Sequence, residues 1–343
     1  MNARRRTISG IAVTATALLG LGTLSACSTD DSATGKAGNT DKFDVVASFY
    51  PMAFLAEQIG RDHVNVTSLT QPGQEPHDLE ISAKQRAQLE SSDAALYLKG
   101  LQPSVDEAIG QSGITTKIDA ATLTTLEDHA AGHDGHDEHD AHDGHDEHAD
   151  DDGHDHGGKD PHVWLDPVKY AEVAKGVGKA FGKADPDHAA DYEKNTADLV
   201  ARLGELDTRF ETGLKDTKTK VFITTHAAFG YLAERYGLTE EAISGLDPES
   251  EPSAARVREL SETAKADGVT TVFYETLVSD KTAKTLARDT GLKTDVLDPL
   301  EGITDASRGD DYIQVMDANL AALQKALGAK CPPARNETTR RPA

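Results

Sequence analysis

Nine histidines crowd into one run, HAAGHDGHDEHDAHDGHDEHADDDGHDH: His129, His133, His136, His139, His142, His145, His148, His154 and His156. They alternate with Asp, Glu, Gly and Ala, and the pentapeptide GHDEH occurs twice. Neutral imidazole beside carboxylate is donor chemistry for borderline divalent cations such as zinc, copper or nickel. The run has no hydrophobic period, so it cannot bury a face and reads as a solvated, disordered loop. An ordinary linker would be rich in Gly, Ser and Pro or plainly acidic. Three further histidines stand outside the run in comparable settings. His77 lies in GQEPHDLE after an expected strand, His162 in DPHVWLDP where order resumes, and His226 closes KVFITTH. Asp298 ends TDVLDP, again at a strand exit. Together they offer three imidazole nitrogens and one carboxylate, a suitable tetrahedral set for zinc, although spacing alone does not join them.

The elements that must position these groups follow from the pattern. FDVVASFYPM opens with a compact apolar run suited to a buried strand, and MAFLAEQIG reads as a helix ending at Gly60. VNVTSLT and AALYLKG are further strands around a helix in SAKQRAQLESS. After the run, Tyr192, Leu199, Leu203, Leu206, Phe210 and Leu214 recur at spacings of 7, 4, 3, 4 and 4, one face of a long helix. At about 27 residues it would reach roughly 40 Å, long enough to join two lobes. KVFITTH, VTTVFYE and TDVLDPL then alternate with helical segments. The expected fold is α/β, two lobes each with a mainly parallel sheet and flanking helices, joined by one long rigid helix. Expected boundaries are an N-terminal lobe over 43–184 interrupted by the loop 128–158, a linking helix over 185–215, a C-terminal lobe over 216–329 and a disordered tail over 330–343. Such lobes bind ligands in a crevice at the strand ends.

Composition narrows the partners. With 35 basic against 59 acidic side chains the formal charge is -24, so nucleic acid and anionic surfaces are poor partners and cations plausible ones. The N-terminus carries Arg4, Arg5 and Arg6, a short apolar stretch and the small residues Leu24-Ser25-Ala26 before Cys27. That is a secretory signal over 1–27, too short and too rich in Gly, Ala and Thr for a convincing spanning helix. The arginines leave both the general and the twin-arginine export routes open. Cys27 resembles the cysteine of a bacterial lipobox, which implies cleavage before it and lipid on its sulfur. Residues 28–42 then read as a flexible tether. The only other cysteine, Cys331, has no partner if Cys27 is lipidated.

GQEPHDLE, DPHVWLDP, TTHAAFGYLAERYGL and EPSAARVRELSETAKADGVTTVFYE resemble the metal-binding solute-binding proteins of bacterial ABC importers, specifically the zinc-uptake members, over about residues 43–328. Zinc members of that family often carry a His-rich acidic insert between the first and second ligand motifs, where the run sits. The resemblance implies a metal between two lobes, held by His77, His162 and His226, with Asp298 at the C-terminal carboxylate position. Glu75 is a weaker candidate, because Pro76 separates it from His77. Manganese-type relatives place a carboxylate where this chain has His226, and three nitrogens favour zinc. The resemblance further implies a monomer on the outer face of the cytoplasmic membrane, delivering Zn²⁺ to an ABC permease without covalent chemistry.

Other residues have blander readings. Trp164 suits packing, Asp166 a cap or a ligand-orienting acceptor, and Glu275 a similar supporting place. His63 and His188 read as surface, Tyr97 and Phe229 as core. The run itself suits a low-affinity metal collector that fades as pH falls through about 6.5, or else an inert insert. The rivals are a manganese or other divalent importer, a metal-buffering or adhesion surface protein, and a secreted zinc hydrolase. The last needs an open zinc position, and the chain has neither HExxH nor GxSxG.

Overall fold

The computed structural model describes residues 42–129 and 159–330. The signal segment, Cys27, the tether, the eight histidines from His133 to His156 and the C-terminal tail lie outside the described residues. Two four-stranded sheets carry the fold, and every strand pair in them is parallel.

The first sheet holds β1 (Phe43–Ala47), β2 (Val64–Ser68), β3 (Ala94–Tyr97) and β4 (Thr116–Asp119) in the order β2-β1-β3-β4. The second holds β5 (Val221–Thr224), β6 (Thr239–Ala242), β7 (Thr271–Tyr274) and β8 (Lys293–Val296) in the order β6-β5-β7-β8. The two sheets therefore repeat one topology. Val45, Val46 and Ala47 are buried on both faces of β1, as a central parallel strand covered by helices requires. The edge strand β6, TEEA, and the short β4, TKID, lack an apolar run, so sequence periodicity passes them over.

Helices cross between the strands: α1 (Tyr50–Gly60), α2 (Ala83–Ser91) and α3 (Pro103–Gln111) in the first half, α6 (Gly230–Arg235), α7 (Ala254–Ala266) and α8 (Lys281–Thr290) in the second. Ser82 and Gln85 form a reciprocal capping box at the start of α2. Between the halves run α4 (Pro167–Ala184) and α5 (Ala189–Leu214), and α9 (Tyr312–Leu327) is the last helix among the described residues. Asp166 caps α4 by accepting from Val168 N, with Pro167 opening the helix, so the cap reading of Asp166 holds. Helix α5 begins at Ala189 rather than 185, because Pro186–His188 forms a separate 3-10 turn. Its 26 residues span about 39 Å.

The buried face of α5 packs against α1, α4 and α9, which ties both sheets to one core. Gly178 permits its closest approach to α4: a Cβ there would meet Thr196 Oγ1 at 2.1 Å. The core crosses between the halves through aromatic rings. Tyr312 of α9 lies 5.4 Å from Phe54 of α1 and 4.7 Å from Tyr170 of α4. The described residues accordingly belong to one compact unit. Removing such a ring would cost about 3–5 kcal/mol.

Candidate metal centre

His77, His162 and His226 meet where the C-terminal ends of the two sheets face each other. His77 comes from the loop after β2, His162 from the long connection after β4, and His226 from the exit of β5. The ring centroids of His77 and His162 are 5.6 Å apart, those of His162 and His226 5.4 Å, and those of His77 and His226 6.2 Å.

The carboxylate among them is that of Glu301, not Asp298. Glu301 Oε1 lies 3.3 Å from His77 Nε2, 3.2 Å from His162 Nε2 and 3.4 Å from His226 Nε2. One donor atom from each of these four residues lies within 4.8 Å of the others. Glu301 Oε2 and His226 Nε2 have no hydrogen-bond partner although both are buried. Buried polar atoms without partners are costly, and a cation would satisfy them.

Asp298 does different work. Its Oδ1 accepts from Leu300 N at 2.8 Å, and its Oδ2 accepts from the Thr276 and Ser307 hydroxyls at 3.1 and 3.2 Å. An Asp bonding the backbone two residues on is a turn former. Asn319 of α9 pins the Asp298 backbone on both sides, and Leu300 takes the left-handed region at φ 60°. That turn aims Glu301 back at the histidines. Glu75 also stands outside the group: its Oε2 accepts from Asp78 N at 3.2 Å, within its own loop.

Two buried carboxylates orient the imidazoles. Asp160 Oδ1 accepts from both His162 N and His162 Nδ1 at 2.8 Å. Glu275 Oε1 accepts from His226 Nδ1 and from the Thr225 hydroxyl, each at 2.8 Å. An ionised carboxylate on Nδ1 fixes the tautomer and turns Nε2 inward as a donor to metal. The supporting place expected for Glu275 is thus what the geometry provides. The signal for Asp160 is its place two residues before His162, within easy reach of that ring.

Opposite charges face one another inside this buried site. Burial opposes the charged form of His162, but Asp160 and Glu301 outweigh it and push the imidazole up to about 9. Burial likewise opposes charge on His226, and Glu275 and Glu301 hold it well above the ordinary value. Burial would raise Glu301, but the three histidines around it hold it well below the usual carboxylate range. The metal-free site therefore favours the protonated forms of His162 and His226, and an arriving cation must displace those protons.

Trp164 does more than pack. Its Nε1 donates to Pro299 O at 2.7 Å, and the Tyr312 hydroxyl donates to Trp164 O at 2.6 Å. The loop carrying His162 is thereby latched to the loop carrying Glu301. Tyr231 of α6 clamps the other side: Glu127 N donates to its oxygen at 2.7 Å, and its hydroxyl donates to Asp160 O at 2.8 Å.

His129, first of the histidine run, is within the described residues. Its Nδ1 lies 2.9 Å from Asp160 Oδ2 and its Nε2 2.9 Å from Glu234 Oε2.

Two parallel sheets of matching order, meeting across a buried histidine–carboxylate group, define a two-lobed α/β solute-binding protein. The sequence matches the family described as zinc-uptake complex component A, periplasmic (ZnuA), over residues 45–326, and the chain belongs to that family. It is 38% identical to the high-affinity zinc uptake system protein ZnuA of Bacillus subtilis, covering 94% of this chain and 98% of that one. It is 36% identical to the zinc-binding lipoprotein AdcA of Streptococcus pneumoniae, covering 90% of this chain but only 59% of AdcA, so it spans about three fifths of that relative's length. The Zn(II)-bound ZnuA-like domain of Streptococcus pneumoniae AdcA superposes with a TM-score of 0.66 at 34% identity, covering 83% of this chain and 99% of the domain.

Proposed function

We propose that this chain captures Zn²⁺ between its two halves, with His77, His162, His226 and Glu301 as ligands, and delivers it to the membrane permease of an ABC importer. The observation that carries the reading is the convergence of three buried or nearly buried imidazole Nε2 atoms on the single oxygen Glu301 Oε1. Three nitrogens and one carboxylate suit zinc better than manganese, which prefers oxygen. Four protein ligands also leave a tetrahedral ion no position for an activated water, which argues for carriage rather than hydrolysis. Family membership supports the permease partner, and the N-terminal pattern supports the lipid anchor at Cys27. Family membership and the names of the relatives support zinc as the cargo.

Release must loosen this set. The shared core around α5 opposes a wide separation of the halves. Movement of the two latched loops, joined by the Trp164–Pro299 bond, is the smaller change. A competitive titration against a chelator of known affinity tests the reading. One tight zinc equivalent is expected, with manganese far weaker, and His226→Ala should lower zinc affinity more than about 100-fold, beyond the range of outer-shell changes. A preference for manganese, or a tight equivalent indifferent to His226→Ala, would overturn it.

A further inference from the structure

Beside the interlobe group stands a second convergence of donors, and it rests on the same buried carboxylate. Asp160 is fully buried and divides its two oxygens between two imidazoles: Oδ1 faces His162 Nδ1 at 2.8 Å and Oδ2 faces His129 Nδ1 at 2.9 Å. With Nδ1 held by Asp160, His129 turns Nε2 outward toward Glu234 Oε2 at 2.9 Å and Glu127 Oε2 at 3.9 Å. One donor atom from each of Glu127, His129 and Glu234 lies within 4.8 Å of the others. Donors bound to one zinc at 2.0–2.1 Å stand about 3.3 Å apart, so small side-chain shifts suffice.

The backbone is shaped for this placement. Gly230 opens α6 directly beneath His129, where a Cβ would meet His129 Cβ at 2.6 Å and Asp160 Oδ2 at 2.9 Å. The His129 ring stands edge-on to Tyr231, with centroids 4.4 Å apart. His129 side-chain exposure is 17%, while Glu234 is 61% exposed, so the imidazole is fixed and the outer ligand can adjust. His129 and Glu234 also border a cavity of about 490 Å³ with Gly230 and Glu240, which leaves room for water on an ion. One counter-charge opposes a cation: Lys169 Nζ holds Glu127 Oε1 at 2.5 Å.

We infer that Glu127, His129 and Glu234 form a second, weaker site for a divalent transition cation such as zinc, joined to the interlobe site through the shared carboxylate of Asp160. This deepens the proposed function and rests on it for the first site. One nitrogen and two carboxylate oxygens favour a borderline ion over magnesium or calcium. The missing protein ligand, the exposed Glu234 and the nearby ammonium make the site the weaker of the two. A cation on His129 Nε2 strengthens its Nδ1–H as a donor to Asp160, which draws charge from the bond to His162. Filling the outer site therefore weakens zinc at the inner one, and linkage makes the effect mutual.

The test is a calorimetric Zn²⁺ titration of the full chain with the eight histidines from His133 to His156 changed to Gln, which removes competition from the run. Two equivalents are expected, one tight and one weaker. Glu127→Gln with Glu234→Gln should abolish the weaker and retain the tight one, and His129→Gln should do the same. His226→Ala should abolish the tight one and retain the weaker. With the outer site removed, inner-site affinity measured at saturating zinc should rise about fivefold. A single equivalent in the parent, or a second that survives both outer-site variants, overturns the inference. A tight equivalent indifferent to His226→Ala would instead overturn the interlobe assignment, so the two failures are distinct.

Discussion

His162 and His129 each direct Nδ1 at Asp160, yet the surroundings of their Nε2 atoms differ. His162 is fully buried and faces Glu301, with two more imidazoles alongside. His129 lies near the surface and faces two carboxylates, one of them largely exposed. The inner group is held before any cation arrives: Glu275 fixes His226, the Asp298 turn fixes Glu301, and Trp164 ties the loops together. The outer group has one fixed ligand and two adjustable ones. Ordering flexible ligands costs free energy on binding, so shared chemistry yields unequal affinity. On the proposed reading, the supporting bonds add to the fuller donor set in making the inner group the stronger site.

The sharpest break in that comparison separates Glu301 from Asp298. Glu301→Gln should lower zinc affinity more than about 100-fold, whereas Asp298→Asn, which keeps an oxygen for Leu300 N, should cost no more than about tenfold. Equal effects in a chelator competition would return Asp298 to the ligand set. Next come the orienting carboxylates. Glu275→Gln should weaken only the inner site, by about 10–100-fold, and Asp160→Asn should weaken both sites by a similar factor. Affinities for both equivalents read this out, and an outer site untouched by Asp160→Asn would sever the proposed connection.

The smallest effect is on stability. His162 is raised from its ordinary value to about 9 in the folded protein. Its stabilisation is thus complete below about 6.5 and is lost as pH rises through about 9. Glu301 and Asp160 are held low, so theirs is present above the ordinary carboxylate range and is lost as pH falls through their folded values. The zinc-free protein should therefore melt a few degrees lower at pH 9 than at pH 6, while the gain in Tm from zinc grows over the same interval. Thermal melts with and without zinc check this, and a zinc-free Tm that rises toward pH 9 would reverse the sign.

His77, His162 and His226 are legible in the sequence because the motifs around them resemble those of the zinc-uptake solute-binding proteins; His77 and His226 also follow strands, whose exits converge on one edge of a parallel sheet. Glu301 is not legible, because its direction depends on the turn at Asp298, the left-handed Leu300 and the latch between Trp164 and Pro299, which are 135 residues apart in the chain. An acid at the end of TDVLDP looks like a ligand until its oxygens are seen to be used by its own loop. His129 was one among nine similar residues until the fold set Asp160 and Glu234 around it. The long helix announced itself through its apolar face, but β4 and β6 carry too few apolar residues to register.

The central claim is that one cation sits among His77, His162, His226 and Glu301. Anomalous diffraction at the zinc edge, on crystals of the full chain loaded with one equivalent of zinc, tests it most directly. One dominant peak is expected within about 2.0–2.2 Å of the three Nε2 atoms and a Glu301 oxygen. A dominant peak at Asp298, or at His129 with the inner group empty, would contradict it.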